Sequence, residues 1–140
     1  MSVPTQAQVI EFCHDNSIID YLGVDIVPTD DGCARLELEV EEQHSNPYNI
    51  LHGGVLTTMA DTAMGAVCLM RNKKVVTVSL TLEFMHPVHL GTRIITDAKI
   101  INEGRHIMIC ECELLDSNGK LFAKAHATFF AIAKFIDDDD

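Results

Sequence analysis

The stretch HGGVLTTMADTAMGAVCLM, residues 52–70, holds eleven apolar residues and one charged side chain, Asp61, from position 53 onward. Val55, Met59, Thr62, Ala66 and Met70 recur at helical spacing, while Leu56, Ala60, Ala63 and Val67 cover the neighbouring face. This spacing predicts a helix over 53–70 that protein surrounds on most sides. Eighteen residues are long enough to cross a bilayer, but Thr57, Thr58, Asp61, Thr62 and three glycines make the run too polar for lipid. A core helix is expected, with no membrane partner.

Strand patterns lie on both sides of that helix. Residues 33–41 alternate strictly, with Ala34, Leu36, Leu38 and Val40 on one face and Arg35, Glu37, Glu39 and Glu41 on the other. Residues 21–27 read as a partner strand, with Pro28, Asp30, Asp31 and Gly32 as turn residues between them. Residues 5–15 offer the apolar stripe of a short amphipathic helix through Val9, Ile10, Phe12 and Cys13. After the long helix come four strand candidates, 74–85, 91–101, 105–115 and 120–133. Turn signals at Asn102-Glu103-Gly104 and over 116–119 separate the last three. In the first of these, Val76, Val78, Leu80, Leu82 and Phe84 alternate with Thr77, Ser79, Thr81 and Glu83, which puts Thr77 on the polar face. One long helix against an antiparallel sheet is an α+β arrangement in a single domain of residues 1–136, with 137–140 as an acidic, disordered tail.

Charge and cysteine usage narrow the function. A formal charge of −11, still −7 without the four terminal aspartates, gives no electrostatic grip on nucleic acid or anionic lipid. Five cysteines without CxxC or Cys/His spacing read as free thiols of a reducing compartment, so a cytoplasmic protein without a metal site is expected. Cys110 and Cys112 lie two apart in a strand and share a buried face.

The chemistry concentrates in Asn46-Pro-Tyr-Asn-Ile-Leu-His52-Gly53-Gly54 and the helix behind it. Amides in a first helical turn have no intrahelical acceptors, and two glycines let a ligand approach the backbone closely. Backed by the positive end of the helix dipole, such donors suit a carbonyl oxygen that gains charge under nucleophilic attack. Gly53 and Gly54 serve tight helix packing equally well on this evidence, and His52 serves equally well as a helix-entry hydrogen-bonding residue. A carboxylate two turns into a greasy helix must be paired, hydrated or functional. At about 1.5 Å per residue Asp61 stands roughly 12 Å along the axis from Gly53. A site using both therefore requires two chains, one supplying Gly53 and the antiparallel helix of the other supplying Asp61.

These residues resemble the hotdog-fold thioesterases of the phenylacetate-degradation (PaaI-like) type, a family that includes a mammalian mitochondrial acyl-coenzyme A thioesterase. The likeness runs through Asn46, the His52-Gly53-Gly54 turn, Asp61, the stretch TVSLTLEFMHP at 77–87 and the turn at 102–106. It implies a hotdog fold and hydrolysis of an acyl-CoA, with coenzyme A present only as part of the substrate. The implied site lies between subunits of a homodimer, commonly assembled into a homotetramer. It further implies that Asp61 is the general base or nucleophile, that the Gly53 amide holds the thioester oxygen, that Asn46 and His52 hold and orient the carbonyl region, and that Thr77 positions the attacking water. The coenzyme A tail is implied to run past Gly54, over Phe84, Met85, His86, Pro87 and His89, and over Asn102, Gly104, Arg105 and His106. Asn49 stands where the family often has glycine and His86 where it often has arginine; asparagine tolerates the positive φ such a turn requires. A hydratase or dehydratase on the same scaffold and a non-catalytic acyl-CoA-binding module are the other functions compatible with these residues.

Overall fold

The structure, a computed structural model, describes residues 3–31 and 33–137. Gly32 and the expected acidic tail from 138 onward lie outside them. The chain runs α1 (Gln6–His14), α2 (Ser17–Leu22), β1 (Asp25–Pro28), β2 (Ala34–Glu39), a 3-10 turn (Glu42–His44), α3 (Gly53–Met70), β3 (Lys74–Phe84), β4 (Arg93–Glu103), β5 (Ile107–Leu115) and β6 (Leu121–Ala133). The six strands form one antiparallel sheet in the order β1-β2-β4-β5-β6-β3.

Helix α3 has the expected extent, and the sheet curls around it, with β2 to β6 all in contact with it. Met59, Ala60, Ala63 and Met64 are buried against Leu36 and Leu38 of β2, Ile94 of β4, and Met108, Cys110, Cys112 and Leu114 of β5. Three buried alanines on β6, Ala123, Ala125 and Ala127, let the helix approach the sheet closely, and Phe129 fills the space beyond them. Cys110 and Cys112 are indeed buried, and the Cys68 Sγ of α3 lies 3.6 Å from the Cys110 Sγ.

Four expectations change. Residues 17–22 are helical, so the strand expected from Tyr21 begins only at Asp25. Ile18 and Tyr21 favour strands, but Gly23 at φ 74° closes a helical turn and only Ile19 is buried, so tertiary context overrides propensity. Pro28 belongs to β1 rather than to the turn, which an edge strand tolerates because its free side needs no N–H. The β4–β5 turn is Gly104-Arg105-His106, since Asn102 and Glu103 still pair with β5.

The fourth change concerns Thr77. Thr77 pairs with Phe129 and Ser79 with the adjacent Thr128, so Val78 is an unpaired bulge residue. The inserted residue inverts the alternation. Val75 and Thr77 face the helix side before it, Leu80 and Leu82 after it, while Val76 and Val78 are exposed. Thr77 thus leaves the solvent face that uninterrupted alternation assigns to it.

The loop before α3 is pinned at both ends. Buried His44 accepts from the Glu41 amide at 2.9 Å through Nδ1 and contacts the Leu22 carbonyl at 2.6 Å through Nε2. The Asn46 Oδ1 accepts from the amides of Tyr48 (2.9 Å) and Ile50 (3.4 Å), and the chain turns back through Asn49 at φ 63°. Asn49→Val forces a β-branched residue into that conformation and should cost about 1–2 kcal/mol in urea unfolding, whereas Asn49→Gly should be neutral or better.

Candidate active site

His52 is the N-cap of α3, and its Nδ1 accepts from the Gly54 amide at 2.8 Å. The helix-entry role is therefore occupied by His52, and the Gly54 donor is used internally. The Gly53 amide is left without an acceptor among the described residues. It opens on a cleft of about 390 Å³ whose walls include Asn46, Leu56 and the run Phe84, Met85, His86, Pro87. With its carbonyl oxygen committed to the loop, Asn46 keeps its side-chain NH₂ free toward that cleft. One backbone and one side-chain donor thus border the same cleft.

Asp61 lies elsewhere, half-buried in a second cleft of about 280 Å³ shared with Thr77, Gly65, Leu69 and Phe129. The Thr77 hydroxyl donates to the Asp61 Oδ1 at 2.6 Å. A carboxylate in an apolar helix gains from this bond the compensation it needs, and its second oxygen remains available to accept. The Val78 bulge creates the pair, because without it the hydroxyl would point to the opposite face. Asp61 and Thr77 therefore come together in one cleft, while Gly53 and Asn46 form a separate group at the start of the same helix, two turns away.

The remaining expected residues divide. Phe84 packs so closely that a Cβ on Gly53 would meet its ring at 3.0 Å. Gly104 is fixed by the hairpin backbone, since a Cβ there would meet the Ile107 carbonyl oxygen at 2.8 Å. Asn102 pairs with Ile109, and His89 is tied by a backbone bridge to Ile50. Arg105 and His106 border a third cleft with Arg71 and Lys73. Burial raises the Glu103 carboxyl, but Arg71 (2.7 Å) and Lys73 (3.2 Å) outweigh it and hold it below the usual carboxylate range. Those two cations are committed to Glu103. Arg105 has no ion-pair partner among the described residues, and His106 stacks on Phe130 with centroids 5.7 Å apart. The lining by Phe12, Cys13 and Asn16 of the Asp61 cleft escapes sequence reasoning because α1 is remote in the chain. Gly65, one turn after Asp61 in a helix that otherwise avoids glycine after its first turn, carries a readable signal.

Crowding at Gly53 is directly testable. Gly53→Ala should lower the melting temperature by several degrees, and Phe84→Leu in the same chain should recover part of that loss because the ring no longer meets the added methyl.

Comparison with known proteins agrees with this architecture. The family model described as the thioesterase superfamily matches residues 48–123, more than half of the chain. Acyl-coenzyme A thioesterase 13 of Mus musculus is 33% identical over 95 residues, covering 66% of this chain and 68% of that protein. Acyl-coenzyme A thioesterase PaaI of Escherichia coli is 28% identical over 102 residues, 73% of each chain. The structure of Escherichia coli PaaI superposes with a TM-score of 0.83 at 23% identity, covering 96% of this chain and all of that one. A thioesterase of Haemophilus influenzae superposes with a TM-score of 0.80 at 25% identity, covering 99% and 97%. The sheet wrapped around one long helix is the hotdog fold, and the chain belongs to the thioesterase superfamily.

Proposed function

We propose that this protein hydrolyses acyl-coenzyme A thioesters to the free acid and coenzyme A, at a site completed by a second copy of the chain. The observation that carries the reading is the separation of its two functional groups. Asp61 and Thr77 share one cleft, the free Gly53 amide and Asn46 share another, and neither cleft alone holds both a nucleophile-generating acid and an oxyanion donor. Relatives named acyl-coenzyme A thioesterase support the substrate class.

Strand β3 supplies the means of bringing the halves together. It is eleven residues long, has a neighbour on only one side, and exposes Val76 and Val78. Such an edge invites pairing. Antiparallel pairing of β3 with its own copy, centred on Thr81 and with the Val78 bulge skipped, would set Thr77 opposite Phe84 of the partner subunit and carry Asp61 toward Gly53 of the partner subunit. Exposed Ile101, Ile107, Phe130 and Ile132 add apolar surface that suits pairing of two such dimers into a tetramer.

In this arrangement the thioester oxygen would accept from the Gly53 amide and the Asn46 side chain. Asp61 would take a proton from water held near Thr77 as that water attacks the carbonyl carbon, or would itself attack the carbon to give an acyl–Asp61 anhydride that water then hydrolyses. In either route the C–S bond breaks and the thiolate of coenzyme A leaves. The tail of the leaving group would follow Phe84 to Pro87 and the hairpin that carries Arg105 and His106. Five thiols suit a reducing cytoplasm.

Asp61→Asn should lower thiol release, read with Ellman's reagent, by about 10²–10⁴-fold while the fold and ligand binding persist. Full activity in that variant removes Asp61 from the chemistry. Thr77→Val should lower kcat while KM changes little. Sedimentation should give a dimer or tetramer, and an active monomer would refute the shared site.

A further inference from the structure

Gly65 is a mid-helix glycine without a packing reason. A glycine inside a helix is less favourable than alanine because it frees the unfolded backbone and exposes polar groups. At Gly53 a Cβ would meet the Phe84 ring at 3.0 Å, but a Cβ at Gly65 would find nothing within 4 Å. The empty space is the Asp61 cleft itself.

Position 65 is one turn beyond Asp61 and Leu69 one turn further, so the three lie along one stripe of α3. The stripe extends about 12 Å from the acid at 1.5 Å per residue. Phe12 of α1 and Phe129 of β6 border the same cleft. Phe12 is braced by Phe135, edge-on at 5.1 Å, and by the Lys74 ammonium, 5.8 Å above its ring. The result is a groove that starts at the carboxylate, runs over a residue with no side chain and ends against fixed apolar walls.

We infer that this groove, inside one chain beneath α1, takes the acyl group, and that Gly65 keeps it open for an extended apolar chain of medium length, octanoyl rather than acetyl. The inference rests on the thioesterase reading for the position of the reacting carbon. The groove is continuous with Asp61 and Thr77, and with the coenzyme A tail routed along Phe84 to Pro87 it is the apolar path left for the acyl chain. Gly65 is a binding residue in this account and takes no part in the chemistry.

The test is a thiol-release series with acetyl-, butanoyl-, hexanoyl-, octanoyl- and decanoyl-CoA. In the wild type kcat/KM should climb with chain length, by up to about fourfold for each methylene buried, until the groove is full. In Gly65→Leu the ratio of octanoyl to acetyl kcat/KM should fall by at least about tenfold, with the oligomeric state unchanged. Gly65→Ala should raise the melting temperature by a few degrees, since helix propensity improves without a clash, while trimming only the longest chains. An unchanged chain-length profile in Gly65→Leu, a loss equal at every length, or a change of oligomeric state overturns the inference. The last outcome would assign Gly65 to subunit contact. If the wild type releases no thiol from any member, the hydrolysis reading fails and the groove is decided by calorimetric titration with non-hydrolysable thioethers of coenzyme A. Octanoyl bound more tightly than acetyl by wild type, with the preference lost in Gly65→Leu, supports the groove; equal binding of both by wild type overturns it.

Discussion

A single carboxylate carried by the most apolar helix of the chain is the constraint around which the rest is arranged. Helix α3 must be enclosed, because nearly every face is greasy, yet Asp61 cannot be enclosed without a partner for its charge. The sheet meets the first demand by curling around the helix. A threonine hydroxyl delivered by the edge strand at 2.6 Å, together with an open cleft beside the acid, meets the second. The acid thus sits at the boundary between core and solvent, where a carboxylate stays hydrated enough to remain chemically useful.

The start and the middle of α3 differ in what they offer. At its start, the His52 Nδ1 and the Asn46 Oδ1 are used within the loop and first turn, while the Gly53 amide and the Asn46 side-chain NH₂ stay uncommitted among the described residues. Two turns later the helix offers an acceptor with one oxygen still uncommitted. Complementary groups two turns apart on a rigid rod cannot converge within one molecule, and an antiparallel twin is the simplest way to align them. The sheet edge that would join the twins is the strand that delivers Thr77.

Much of this was legible in the residues. The limits of α3 followed from one continuous apolar run, and strict alternation marked the inner face of β2, because each pattern matched a single period. The Asn46 turn and the Asp61 position were readable through likeness to a known family. Reading failed where one residue altered parity or where context overruled propensity. Val78 gives no compositional sign that it is skipped by the ladder, so the side occupied by Thr77 was misassigned. The segment 17–22 has the composition of a strand and became a helix because Gly23 supplied the left-handed stop. The contribution of α1 to the Asp61 cleft depends on contacts between residues some fifty positions apart, beyond any local pattern.

The Val78 bulge also determines where this chain can change in length. Loss of Val78, or a second inserted residue between Thr77 and Ser79, would leave a strand that still pairs with β6, yet it would turn the hydroxyl outward and strand the carboxylate without a donor. The turn at 116–119 carries no such parity, so natural length variation is tolerable there and costly in β3, even though both lie at the surface.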